Sequence, residues 1–176
     1  YYRMQNPNMS AIVICPKSLK KQWEREINRV CDEVSVFQIT NPNHWENFLQ
    51  YSGPKFAIMT YQYLNRNSSM LNNVNIDMSI LDEIQYIRND ETKTWKSAKL
   101  IKSKYFFGLS GTVIENCIED LYNIMEIVNP GVLGPRWKFD DRFQNIKSIT
   151  KTKILYSGLK DIEGLKRIIA DYVFSK

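Results

Sequence analysis

Histidine is almost missing from this chain of 176 residues: His44 is the only one. That argues against a histidine-based triad or metal centre and leaves His44 as an ordinary helix-start residue. Cysteine is scarce too. Cys15, Cys31 and Cys117 are odd in number, far apart, and in no C-x-x-C spacing. They exclude a disulfide framework or a zinc site built from cysteine, and read as small apolar residues in a reducing, intracellular compartment. That compartment would be cytoplasmic in a bacterium and nuclear in a eukaryote. Six prolines and seven glycines are too few for a disordered or fibrous chain. No apolar run approaches the roughly 18 residues of a membrane span, and no charged-then-apolar secretion signal opens the chain. Internal repeats and low-complexity tracts are absent as well.

What remains is an ordinary globular composition, 43% hydrophobic and 24% charged, in a length that suits one domain with a real core. The net charge of +5 is unevenly placed. Residues 1–135 hold 14 basic and 14 acidic side chains, whereas 136–176 hold 10 and 5. A basic tail on a neutral body fits a polyanion partner, and a solvated surface would look the same.

Short apolar runs alternate with amphipathic ones. "SAIVIC" (10–15) reads as a buried strand stopped by Pro16, with Ser18 placed to cap the next helix. That helix carries Leu19, Trp23, Ile27 and Val30 on one face, so Trp23 reads as core. Further strands are predicted at 34–39, 55–60, 77–83 and 104–109. Helices are predicted over 44–51, 61–67, 91–102 (Trp95, Ala98 and Ile101 inward), 116–128 and about 159–173. Lys93, Lys96, Lys99 and Lys102 form a basic band that reads as a solvated face. Arg88 and Asn89 are candidate caps for the 91–102 helix, and a nucleic-acid role is equally open to them. "NPGVLGPRW" is a turn cluster, and 136–157 follows no clear period. Continuous apolar strands alternating with helices mean an α/β fold, a parallel sheet covered on both faces.

In such sheets ligands sit outside the carboxyl ends of the strands. Four polar segments fall there: Pro16-Lys17-Ser18, Thr60-Tyr61, Asp82-Glu83 and Ser110-Gly111-Thr112. An acidic pair after a strand is either an ordinary strand exit or a corner where one carboxylate holds magnesium through water and its neighbour polarises the attacking water. Lys17 with the amides of Ser18 and Leu19 makes a helix-start anion site suited to phosphate, and a solvated surface lysine is the equal alternative for Lys17.

The order and spacing of "VICPKSLKKQWEREI", "FAIMTYQYL", "ILDEIQYIRN" and "FGLSGTVIENCIEDLYNIMEIVNPGVLG" resemble the Swi/Snf-like ATPases of helicase superfamily two, with a prokaryotic-type character. The resemblance runs in register over residues 10–135 and more loosely through 173. It implies a RecA-like first lobe over 1–135 and a basic connecting segment over 136–176 that leads toward a second lobe. By resemblance, Asp82 would hold magnesium through water, Glu83 would be the general base, and Gln85 would help couple nucleotide state to DNA contacts. Ser110, Gly111 and Thr112 would link the nucleotide site to the DNA path. Pro16, Lys17, Ser18, Thr60 and Tyr61 would lie along the phosphate backbone of one strand. Asn116 matches a family position as well. The implied cofactors are ATP and Mg2+, and the implied partners are double-stranded DNA and the second lobe of the same parent chain, with no membrane.

The family's glycine-rich GxxxxGK[ST] loop occurs nowhere in the sequence. The chain is therefore expected to be an incomplete first lobe that lacks the phosphate-loop strand and does not hydrolyse ATP alone. Its exposed sheet edges would favour self-association. Two positions depart from the family pattern: Val113 follows Thr112 where proline is usual, and Ile84 stands where a small alanine is usual. A non-catalytic nucleic-acid- or protein-binding module of the same fold is the alternative. An RNA helicase lobe is disfavoured by "NPGVLG" and the tail.

Overall fold

Strands that are apolar on both sides need cover on both faces, and five of the runs read above become one central sheet. The structure is a computed structural model that describes residues 8–111, 118–149 and 154–173. The chain divides into two units, Tyr1–Val113 and Ile114–Lys176.

In the first unit the strands are β1 (Ser10–Cys15), β2 (Ser35–Gln38), β3 (Lys55–Thr60), β4 (Asn75–Asp82) and β5 (Lys102–Leu109). They lie in the order β2-β3-β1-β4-β5, and every neighbouring pair is parallel. Ala11 to Cys15 are wholly buried, as the unbroken apolar run requires. Helix α1 (Lys20–Val30) covers one face. Its Trp23 and Ile27 pack with Leu19 against Val13, Cys15, Ile58, Met78 and Ile80. Helix α2 (Pro42–Gln50) covers the other face beside β2, where Phe37 meets Phe48 edge-on at 5.9 Å between ring centres. Val36 belongs to the α1 face and Phe37 to the α2 face, as strand alternation demands. The result is the RecA-like α/β fold expected from the sequence.

Local chemistry sets most helix ends. Asn41 caps α2 by accepting from the amide of His44, with Pro42 in the first turn, so His44 lies in the first turn of the helix as the sequence implies. Helix α3 (Tyr61–Arg66) is capped by Thr60 Oγ1, which accepts from Tyr63 N at 3.1 Å. Other expectations need correction. Ser18 does not cap α1: Lys17–Leu19 form a 3₁₀ turn, and Leu19 stands at the cap position with no side-chain bond. Helix α4 is confined to Lys93–Ala98, because tight turns at Leu100 and Ile101 lead straight into β5 at Lys102. Its cap is Thr92 rather than Arg88 or Asn89; Asn89 Oδ1 instead accepts from Glu91 N. Lys93, Lys96, Lys99 and Lys102 are exposed, as a solvated band would be.

The second unit holds α5 (Ile118–Val128), α6 (Arg136–Phe143), the antiparallel pair β6 (Gln144–Ile149) and β7 (Ile154–Leu159), and α7 (Ile162–Ile169). Ile118, Leu121, Tyr122 and Met125 are buried and Val128 is half-buried, and Ile124 and Ile127 are buried as well, so α5 is covered on more than one face. Tyr122 and Phe139 bring their rings to 4.8 Å, and the Tyr122 hydroxyl donates to Gly134 O at 2.9 Å. Gly131 and Gly134 take positive φ in the turn cluster, a conformation glycine adopts without a Cβ penalty. Residues 136–157, which have no clear period, contain a helix and most of a hairpin. The final helix starts at Ile162 with Asp161 as its cap, so Leu159 lies on β7 instead of on that helix. Among the described residues no helix is long and apolar enough to cross a membrane.

Candidate functional site

Parallel strands carry all their carboxyl ends to one edge, so register alone gathers the candidate residues of the first unit. Cys15 pairs with Thr60, Ile14 with Leu81, and Asp82 with Leu109. The segments that follow β1, β3, β4 and β5 therefore leave the sheet side by side: Pro16-Lys17-Ser18, Tyr61, Glu83 and Ser110-Gly111.

Asp82 is the last residue of β4 and is half-buried. Its two carboxylate oxygens are held separately. Oδ1 accepts from the amide of Glu83 at 3.0 Å, and Oδ2 accepts from Trp23 Nε1 at 2.7 Å. The Asp82 carbonyl accepts from the Tyr61 hydroxyl at 2.8 Å. Glu83 has left-handed backbone angles, φ 53° and ψ 55°. For a residue with a Cβ this costs about 1–2 kcal/mol, and such strain concentrates where a side chain must be aimed. It ends the strand abruptly and opens a 3₁₀ turn over Ile84–Ile87.

Glu83 is tied to the end of the neighbouring strand. Gln85 Nε2 donates to Glu83 Oε2 at 2.7 Å, and Ser110 Oγ donates to Gln85 Oε1 at 2.8 Å. One amide side chain thus uses both ends to join the two carboxyl-edge segments. Tyr61 is 2% exposed and stacks on Tyr86, ring centres 4.9 Å apart. Burial, reinforced by the charge of Asp82, raises the Tyr61 phenol far above its ordinary value. The Cys15 thiol behind them is pushed up to about 11, first by burial and then by Asp82, with Lys20 opposing.

Not every candidate is equally placed. Lys17 and Ser18 are exposed at the edge, and Pro16 is half-buried. The Leu19 amide is not free for an anion, because it donates to Pro16 O at 3.0 Å. Thr60 spends its hydroxyl on the α3 cap. Gly111 is exposed, and a Cβ there would meet nothing within 4 Å. Thr112, Val113 and Asn116 lie outside the described residues. Trp23 packs against the core, as its helical position implies, and also donates to Asp82. Helical periodicity placed its ring inward correctly, but no sequence signal pairs an indole N–H with a carboxylate 59 positions away.

Among the described residues no cluster of three histidine, cysteine or acidic groups could cage a metal ion. A lone carboxylate with one protein donor on each oxygen still has lone pairs to spare. That fits magnesium held through its water shell, which uses one or two carboxylates and no protein cage.

This corner lies at the carboxyl edge of a RecA-like parallel sheet. A family model described as the SNF2-related domain matches residues 1–173, and the chain belongs to that family, the Swi/Snf-like branch of helicase superfamily two. A solved structure described as the Sulfolobus solfataricus SWI2/SNF2 ATPase core in complex with dsDNA is 31% identical, with a TM-score of 0.77. It covers 99% of this chain and 35% of that one. Switch 2 of Arabidopsis thaliana is 32% identical over 132 residues, 74% of this chain and 15% of its own length. A protein described as an uncharacterized ATP-dependent helicase of Mycoplasma pneumoniae is 27% identical over 149 residues, 84% of this chain and 14% of its own length. The chain thus spans only a small part of the relatives it matches.

Proposed function

We propose that this chain is part of the first lobe of a motor that couples ATP hydrolysis to translocation on double-stranded DNA. The observation that carries the reading is the linked trio Ser110–Gln85–Glu83 beside Asp82, at the carboxyl edge of a sheet in an SNF2-family chain. The likeness to a SWI2/SNF2 core solved on dsDNA supports the choice of polymer. In this reading residues 1–135 form the lobe and 136–176 lead toward a second lobe of the parent protein.

Asp82 would hold Mg2+ through water, and the ion, when bound, supplies charge neutralisation at the phosphates. Glu83 takes the proton of the attacking water, and its αL backbone together with Gln85 fixes where that carboxylate points. Gln85 also reports the position of Ser110, and with Ser110, Gly111 and Thr112 it connects this corner to the DNA path. Pro16, Lys17, Ser18, Thr60 and Tyr61 border the route of one phosphate backbone. Here Lys17 contributes charge, while Tyr61 acts chiefly by bracing the Asp82 carbonyl.

No GxxxxGK[ST] loop occurs in these 176 residues, so the β- and γ-phosphates of ATP find no backbone cradle in this chain. The chain alone is therefore inactive as an ATPase. The same lack favours a second reading, a non-catalytic binding module of this fold. ATP turnover by the full-length protein, with and without duplex DNA, separates them. The motor reading expects Mg2+-dependent turnover stimulated by duplex DNA and abolished by Glu83→Gln. Unchanged turnover in Glu83→Gln, or stimulation by RNA alone, overturns it.

A further inference from the structure

We propose that Trp23 is a positioning residue for Asp82: its indole N–H fixes the orientation of the carboxylate and ties it to helix α1. The inference rests on the metal-side role proposed above for Asp82. Terminal carboxylate torsions are broad and roughly two-fold, so an aspartate at a strand exit needs outside donors to choose one orientation. Asp82 has two. The Glu83 amide is the next residue's own backbone and follows from the turn itself. Trp23 comes from a different element and makes the shorter bond, 2.7 Å, a length typical of hydrogen bonds to a charged acceptor.

Trp23 is well built for that task. An indole is a donor only and cannot swap roles with its partner. It has few rotatable bonds, and it is half-buried, packed against the cluster that includes Ala11, Val13, Cys15, Ile27, Phe56 and Ile58. The apolar body of the side chain is therefore clamped between α1 and the sheet while its one polar atom emerges at the carboxyl edge. Phenylalanine would keep an aromatic ring in the same place and lose the donor, at a modest cost in packing. This makes the residue separable into a packing part and a positioning part.

The test uses the full-length protein carrying Trp23→Phe, with Asp82→Asn and the double variant beside it. Mn2+ binding in the presence of ATP is read from the electron paramagnetic resonance of the free ion. Partners of direct metal ligands are worth about 10–100-fold in metal affinity, and Asp82 would act through water, so the low end of that range applies. Trp23→Phe is expected to weaken binding by about tenfold, and the double variant to be no weaker than Asp82→Asn alone. The indole N–H signals of 15N-labelled protein supply a readout independent of turnover and of the Phe variant's folding. Asp82→Asn should move a single indole signal, the one lost in Trp23→Phe. If Trp23→Phe binds Mn2+ as the wild type does while Asp82→Asn does not, the positioning role is overturned and the motor reading stands. A lowered melting temperature with unchanged affinity overturns it too, since that is packing alone. If no indole signal moves in Asp82→Asn, the hydrogen bond is not the link proposed. If Asp82→Asn itself binds normally, the metal-side role fails and the Trp23 role fails with it.

Discussion

Ile84 and Gly108 interlock: a β-carbon added at Gly108 would fall on Cδ1 of Ile84. Position 84 follows the acidic pair, where the resemblance leads one to expect alanine. The extra bulk is taken up by β5, which passes beside it with no side chain at that point. Ile84 is 2% exposed, so it has no room to swing away. Gly108→Ala is accordingly expected to destabilise the first unit by about 1–3 kcal/mol, the usual cost of overpacking. In an Ile84→Ala background the same change should cost much less. Urea unfolding of the two single variants and the double variant measures the coupling. Additive effects would show that the two positions do not compete for space.

The Ser110–Gln85–Glu83 link predicts a separation of activity from stability. Gln85→Ala removes two side-chain hydrogen bonds, each worth about 0.5–1.5 kcal/mol net, and should lower the melting temperature by only a few degrees. With Glu83 as the general base proposed above, turnover of the full-length protein with duplex DNA should fall by roughly an order of magnitude or more, the scale on which a misplaced base acts. Ser110→Ala should act in the same direction but less, because Gln85 keeps its bond to Glu83. A Gln85→Ala protein with wild-type DNA-stimulated turnover would sink the link.

Alkaline pH should weaken the first unit through two buried acids. The folded-state pKa of Cys15 is raised from 9.0 to about 11, and that of Tyr61 is raised from 10.0. Above the ordinary values the unfolded chain releases protons that the folded chain keeps, so stability falls as pH rises. The Cys15 contribution is fully present below pH 9.0 and is lost between there and about 11. The Tyr61 contribution begins to fall above pH 10.0. Urea midpoints measured from pH 8 upward should decline, and Cys15→Ala should flatten the first part of the decline. Native-state alkylation gives a second check, because Cys15 is buried and Cys31 is half-exposed. Cys31 should be labelled before Cys15.

Strand β5 bears on self-association of the isolated chain. It is an edge of the described sheet, and it shows Tyr105, Phe107 and Leu109 at 38%, 47% and 43% exposure. All three continue the face on which Met78, Ile80 and Asp82 lie. An apolar edge of this kind promotes strand pairing between copies. Phe107→Lys should reduce the apparent mass of the isolated chain in sedimentation at high concentration. A wild-type chain that stays monomeric there would remove the proposal.

Much of the fold was legible because its signals are local. β1 and β3 have the bounds their apolar runs suggest, since a strand buried on both faces leaves a continuous signature. Places where local rules compete were less legible. Serine at position 18 is a good cap by type, yet the backbone there closes a 3₁₀ turn, and Leu19 takes the cap position. Residues 136–157 hold a helix and most of an antiparallel strand pair that stayed illegible because short, polar, marginally periodic segments take their structure from what they pack against.

The amino-acid order by itself determined the alternation of strands and helices, the parallel sheet, and hence which four chain segments meet at one edge. Parallel strands leave no choice in that. It also placed Asp82 and Glu83 in a recognisable register with Ser110. Tertiary structure alone decided how those groups are held: Trp23 on Asp82, Gln85 between Glu83 and Ser110, and Ile84 against the bare backbone of Gly108. Each of these contacts joins residues whose spacing follows no helical or strand period, except for the short step from Glu83 to Gln85. Such pairs exist only once packing has fixed the distance and angle between elements, and hydrogen bonds are too directional to be read from residue type alone.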